Sequence, residues 1–130
     1  MKHRKFGKND WLVSEIGYGM WGMGDWKESN DLESGKSLDL AVELGCNFFD
    51  TAWAYGGGKS EILLGALLKR QGSKRLYTAT KIPPKNRIWP SKGHFDIQDV
   101  FPSDYILAYT EKSLKNLGVE TIDLMQFHVW

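Results

Sequence analysis

The hydrophobic pattern of this sequence switches repeatedly between short apolar runs and longer segments whose apolar residues recur every three or four positions. Runs of the first kind predict strands at residues 14–19, 48–49, 76–81 and 122–128. Segments of the second kind predict helices. Asn30 or Asp31 can cap the first, with Glu33 in its opening turn, Leu32, Leu38, Ala41, Val42 and Leu44 on its apolar face, and Gly45 at its end. Ser60 opens the second, which carries Ile62, Leu63, Ala66 and Leu67, with Gly72 beyond it. Ser103, preceded by Pro102, begins the third, which carries Ile106, Leu107, Leu114 and Leu117 and is closed by Gly118. Ahead of these, residues 5–7 and 11–13 flank the turn-like Gly7-Lys8-Asn9-Asp10 as a small leading hairpin, and a loop with Pro83, Pro84, Trp89 and Pro90 follows the third strand.

Four strands separated by three helical stretches predict an α/β fold with a parallel sheet and right-handed crossovers. Two architectures share that pattern. A doubly wound sheet gathers its ligand at one switch point, whereas a TIM (β/α)8 barrel collects active groups from the C-terminal ends of several strands. Here Asp50, Lys81 and His128 end three successive predicted strands, and neighbouring parallel strands about 4.8 Å apart bring them onto one rim. The barrel is therefore the expected fold. Such a barrel needs about 250 residues, so residues 1–130 are expected to hold the N-terminal half of one barrel domain: a hairpin, four strands and three helices, a fragment without a second domain.

Composition narrows the function. The 130 residues are 42% hydrophobic and 25% charged, with a formal net charge of +1 and scattered Lys and Arg, which gives no electrostatic reason to expect nucleic acid or an anionic membrane as partner. No apolar run approaches the roughly 18 residues that a membrane span needs. A single cysteine and the polar start Met-Lys-His-Arg-Lys-Phe place the chain in the cytoplasm. Cys46 reads as a buried small hydrophobe, and His3 and His94 have no ligand-like spacing, so no metal site is expected.

The strand ends carry the candidate chemistry. A cation about 4 Å away stabilises an anion by about 4 kcal/mol at an effective dielectric of 20, enough to make a tyrosine hydroxyl a usable proton donor at neutral pH. Lys81 can supply that charge to Tyr55, and Asp50 can fix the ammonium by a charge-assisted hydrogen bond. His128 is then free to orient a carbonyl oxygen. A carbonyl held by two donors is primed for hydride, which no side chain can deliver, so a nicotinamide cofactor is implied. Taken singly, Asp50, Tyr55, Lys81 and His128 each have an ordinary surface or loop explanation; it is their joint placement that points to a site.

At these residues the sequence resembles the aldo-keto reductases along its whole length. Lys5-Phe6-Gly7 and the run from Val13 to Gly22 are similar to that family's opening hairpin and first strand. Phe49-Asp50-Thr51-Ala52-Trp53-Ala54-Tyr55-Gly56, followed by Ser60-Glu61, is similar to its signature after the second strand, and Thr80-Lys81 and Gln126-Phe127-His128 match further positions. The resemblance implies NADPH-dependent reduction of aldehydes or ketones with Tyr55 as general acid, Lys81 as its modulator, Asp50 as the partner of Lys81 and His128 as the carbonyl-orienting group. It implies cofactor contacts at Gly19, Met20, Trp21 and Asp50, and a substrate pocket built partly by Trp21, Trp53 and Trp89. It also implies that strands carrying the adenosine-phosphate site lie outside this sequence, so the 130-residue chain alone is expected to be inactive.

Three other readings compete. Gly17-Tyr18-Gly19-Met20-Trp21-Gly22 fits G-x-G-x-x-G, but a dinucleotide fingerprint needs a helix to open at the glycines. A sugar-cleaving barrel needs two carboxylates flanking the bond, and these strand ends offer one. A catalytically inactive regulatory or interaction protein on the same scaffold is the third. Half a barrel also exposes two strand edges and an apolar inner face, which predicts self-association of the isolated chain.

Overall fold

Ser14 is where the chain leaves its opening hairpin. In the computed structural model, which describes residues 1–26, 29–90 and 92–129, β1 (His3–Lys5) pairs antiparallel with β2 (Leu12–Ser14). Gly7 at φ +58° takes the turn after Phe6, so the first strand ends earlier than the expected 5–7. The expected strand over 14–19 divides. Ser14 Oγ donates to the Ile16 carbonyl at 2.8 Å and Ser14 N to Asn47 Oδ1 at 2.7 Å, bending the chain, and only β3 (Tyr18–Gly19) joins the main sheet.

That sheet is four-stranded and wholly parallel, in sequence order: β3, β4 (Phe48–Asp50), β5 (Tyr77–Ile82) and β6 (Leu124–Phe127). Helices α1 (Asp31–Glu43), α2 (Lys59–Gln71) and α4 (Ser103–Leu117) make the crossovers. Asn30 caps α1, its Oδ1 accepting from Leu32 N and Glu33 N at 2.9 and 3.3 Å. Helix α2 starts at Lys59 after Gly58 at φ +102°; Ser60 is not its cap, because its hydroxyl is spent elsewhere, as described below. A further helical turn, α3 (Ile97–Val100), capped by Asp96, was not expected; four residues are too short to show a helical period. Among the described residues there is thus one short α-helix beyond the three predicted.

Alternation along the strands sorts the side chains into two layers. Phe49, turned outward, packs with Leu38, Val42, Leu64, Leu67 and Leu117 of the helices, and Ile82 packs with Val100 and Phe101. At Gly65 helices α2 and α4 touch backbone to backbone, for a methyl there would stand 2.6 Å from the Leu117 carbonyl oxygen. On the inner face the hairpin covers the N-terminal end of the sheet, Phe6 stacking on Phe48 at 5.5 Å and Trp11 on Tyr77 at 5.2 Å between ring centres. Several residues expected on apolar helix faces point away from this core. Leu32 and Leu44 are 67% and 61% exposed, Ile62 and Leu107 are exposed as well, and Leu64, not named beforehand, is fully buried. Helical period fixes the width of an apolar stripe, and in α1 and α2 that stripe is wider than the surface the four strands offer.

Candidate active site

Strand register puts the candidate residues on one side. Gly19 lies beside Asp50, and Asp50 beside Ala79. Lys81 is two residues on from Ala79 and so shares its inner face; it stands beside Gln126, and His128 is two residues further along that same face. His128 N donates to the Ile82 carbonyl at 2.9 Å, which carries the ladder one step past β6 and fixes where the imidazole emerges.

Lys81 Nζ donates to Asp50 Oδ2 at 2.7 Å and to the Thr51 carbonyl at 2.8 Å. The ammonium is mostly withdrawn from water and the carboxylate partly so. Gln126 Nε2 makes a longer contact of 3.4 Å with the other Asp50 oxygen. The same ammonium stands 5.2 Å from the centre of the Tyr55 ring. His128 meets Tyr55 edge-on at 5.4 Å and Trp89 edge-on at 4.5 Å. Tyr55, His128, Ala54, Trp21 and Trp89 line an open cavity of about 550 Å³ at the C-terminal ends of the strands. A groove of about 610 Å³ between α2 and α4 lies on the outer surface, away from these groups. Among the described residues no cluster of His, Cys, Asp or Glu has the makings of a metal site, and no helix is long and apolar enough to cross a membrane.

The expected residues do not all reach the cavity. Trp21 does, 60% exposed in a 3-10 turn (Trp21–Met23). Trp53 lies apart from the Tyr55 cavity, packed edge-on against Tyr109 at 4.8 Å. Met20 is fully buried in the core, its N–H bonded to the Asp50 carbonyl and its own carbonyl accepting from Ser60, so its side chain offers nothing to a ligand on the rim. At Gly19 an added methyl would meet nothing within 4 Å, so the backbone there is open on the rim side. The glycines at 17, 19 and 22 open no α-helix; the next one starts at Asp31.

Other residues hold the site without lining it. Thr51 Oγ1 donates to Ser60 Oγ at 2.7 Å and Ser60 Oγ to the Met20 carbonyl at 3.1 Å, a buried chain that ties the end of β3 to the end of β4 and to α2. On the outer face Glu61, fully buried, accepts from Thr80 Oγ1 at 2.6 Å and from Asn116 Nδ2 at 2.8 Å. Thr80 immediately precedes Lys81, so this contact fixes the strand that carries the lysine. Gly24 crosses the Tyr55 turn so closely that a methyl there would lie 2.7 Å from Gly56 N and 2.9 Å from Tyr55 Cα. Sequence reasoning took Ser60 as a helix start and Ser60-Glu61 as part of the family resemblance, and missed Gly24, whose role is a backbone crossing with no local signature.

Burial, reinforced by Lys81 and opposed by Asp50, pushes the His128 imidazole down to about 4 from its ordinary 6.5. The imidazole is therefore neutral near pH 7 and can donate one hydrogen bond while its other nitrogen accepts.

Comparison with known proteins shows the family. Residues 15–130 match the sequence profile of the Aldo/keto reductase family. The chain is 32% identical over 126 residues to probable aldo-keto reductase 1 from Glycine max, spanning 95% of this chain and 35% of that protein. It is 34% identical over 127 residues to aldo-keto reductase yakc of Schizosaccharomyces pombe, a protein named for NADP(+), spanning 96% of this chain and 36% of that one. In structure it is similar to the holo form of aldo-keto reductase AKR11C1 from Bacillus halodurans, with a TM-score of 0.76 and 33% identity over 98% of this chain and 40% of that one. The chain thus spans little more than a third of its curated relatives' length, and its sheet corresponds to the first part of their (β/α)8 barrel.

The lowered His128 value makes a pH prediction. An unfolded chain takes up this proton near 6.5 and the folded one only near 4, so the group's contribution to stability is fully present above about 6.5 and is lost as pH falls toward 4. An NMR titration of the His128 ring should give a midpoint near 4, with no protonation between pH 8 and 6. A midpoint at or above 6 would contradict the burial argument.

Proposed function

The chain belongs to the aldo/keto reductase family, and from that premise we propose that it carries the catalytic half of an NADPH-dependent reductase of aldehydes or ketones. The observation that supports this reading is the meeting of Tyr55, His128 and the Lys81–Asp50 pair at one cavity. Tyr55 gives its hydroxyl proton to the carbonyl oxygen. The phenolate that remains is offset by the Lys81 ammonium, which Asp50 and the Thr51 carbonyl hold under the ring. Neutral His128 donates to the same oxygen and fixes which way the carbonyl lies. Its Nδ1 is buried without a hydrogen-bond partner among the described residues.

The nicotinamide, when bound, supplies the hydride that forms the new C–H bond at the carbonyl carbon. The residues present fit that group: open backbone at Gly19, the Asp50 carboxylate beside it in register, and the exposed Trp21 ring would hold its nicotinamide end, with Met20 contributing backbone alone. Trp21 and Trp89 would hold an apolar substrate over Tyr55. Preference for NADPH and a cytoplasmic location are part of the same proposal.

In an enzyme with the complete barrel, Tyr55→Phe keeps the ring and removes the proton. Turnover should fall about 10² to 10⁴-fold with cofactor affinity nearly unchanged. Near-parental turnover on every aldehyde and ketone tested would remove Tyr55 from the mechanism.

For the 130-residue chain by itself we propose no turnover, weak NADPH binding and self-association. Among the described residues β3 and β6 are the edge strands of the sheet, with no strand beside their outer sides to take up N–H and C=O groups. Light scattering should report a species larger than the 14.8 kDa monomer; a monodisperse monomer at high micromolar concentration would contradict this.

A further inference from the structure

Beside the Tyr55 cavity lies a second chamber of about 250 Å³ that shares Ala54 and Trp89 with it. Its walls are aromatic. Trp53 meets Tyr109 edge-on at 4.8 Å, and Tyr105 packs on Tyr109 at 4.3 Å between ring centres. These rings come from two separate places, the turn after β4 and the start of α4, and Pro83 and Pro84 after β5 complete the lining. The chamber is therefore walled by elements that the sheet holds in fixed relation.

Its charge is one-sided. Among the described residues Arg87 is the only charged side chain that lines it, and none of their ion pairs involves Arg87. Lys112 adds a second cation, 4.1 Å from the Tyr109 ring centre and 5.7 Å from that of Trp53. Burial and the Tyr109 hydroxyl hold the Tyr105 phenol above its ordinary range, against the pull of Arg87, so it stays a neutral hydrogen-bond donor. An aromatic cage alone suits a cation. Here two cations already stand at the rings, so a cationic ligand meets like charge, while an anion meets a guanidinium with no carboxylate to compete for it.

We propose that this chamber is a subsite of the Tyr55 cavity for a flat aryl or conjugated carbonyl compound bearing a carboxylate, with the ring among Trp53, Tyr105 and Tyr109 and the carboxylate on Arg87. The assignment of the compound as a substrate rests on the reductase reading above; the binding site itself does not. Arg87 is then the residue that sets specificity, through an ion pair in a fork geometry that carboxylates match.

The test uses 2-naphthoate and its uncharged isostere 2-naphthamide, titrated into the chain while the indole N–H signals of Trp53 and Trp89 are followed by NMR. Naphthoate should shift both signals and bind at least about tenfold more tightly than naphthamide, the scale of one hydrogen bond to a charged group. Arg87→Gln, a change on an exposed loop residue, should erase most of that difference and leave naphthamide binding unchanged. Equal binding of the two probes, an Arg87→Gln variant that discriminates as well as the parent, shifts confined to other tryptophans, or no binding of either probe at millimolar concentration would each overturn the proposal. Tyr55→Phe should leave naphthoate binding intact. Arg87-dependent binding without carbonyl reduction in the complete enzyme would therefore sink the reductase reading alone, and Tyr55-dependent reduction without Arg87-dependent binding would sink the subsite alone.

Discussion

The charge-assisted hydrogen bond between Lys81 and Asp50 is the contact on which the rest of the site depends. An ammonium mostly withdrawn from water costs several kcal/mol to desolvate unless a carboxylate offsets it, and an ion pair at this range contributes on the order of 4 kcal/mol at an effective dielectric of 20. Asp50 supplies the charge and the Thr51 carbonyl a second acceptor, both from the end of one strand. Two acceptors in fixed directions leave the ammonium little freedom, and it rests against Tyr55. Without Asp50 the lysine would turn to solvent, and the ring would lose its cation.

The scaffold makes that pair by strand parity. Residues level with Ala79 and two beyond it share the inner face, which brings Asp50, Lys81, Gln126 and His128 together. The intervening residues turn outward and are tied to the helices. Thr80 bonds the buried Glu61, while Phe49 packs among aliphatic side chains. A strand pinned on its outer face cannot slip by one residue without moving every inner group to the wrong side. The rigid outer layer thus protects the geometry of the exposed inner one.

How much of this the sequence announced depended on the range of the interaction. Strand ends marked by Asp50, Lys81 and His128 were legible because an ionisable residue closing an apolar run is a local signal. Helix caps at Asn30 and Gly118 were legible for the same reason. The hairpin boundary at Ser14 was not, since it depends on a hydrogen bond to Asn47 from a distant part of the chain. Burial of Met20 was missed because its position beside the site says nothing about which way a side chain turns after a two-residue strand. Exposure of Leu32 and Leu44 was missed because helical period gives the apolar stripe without saying how much surface there is to cover it. The Arg87 chamber was invisible for a like reason: Trp53 and Tyr109 lie far apart in sequence, and the third predicted helix gave no hint that its first turns stood beside the loop after β4.

The central claim is that in the proton-transfer step, with cofactor saturating, Asp50 acts through Lys81 alone. A double-mutant cycle on carbonyl reduction in the complete enzyme, with Asp50→Asn, Lys81→Met and the pair combined, tests it directly. Each single change should slow reduction at least about tenfold, and the double variant should be no slower than the Lys81→Met single, because a residue that works by holding another has nothing left to hold. Losses that multiply, so that the double variant is slower by the product of the two, would show that Asp50 contributes independently and would contradict the account.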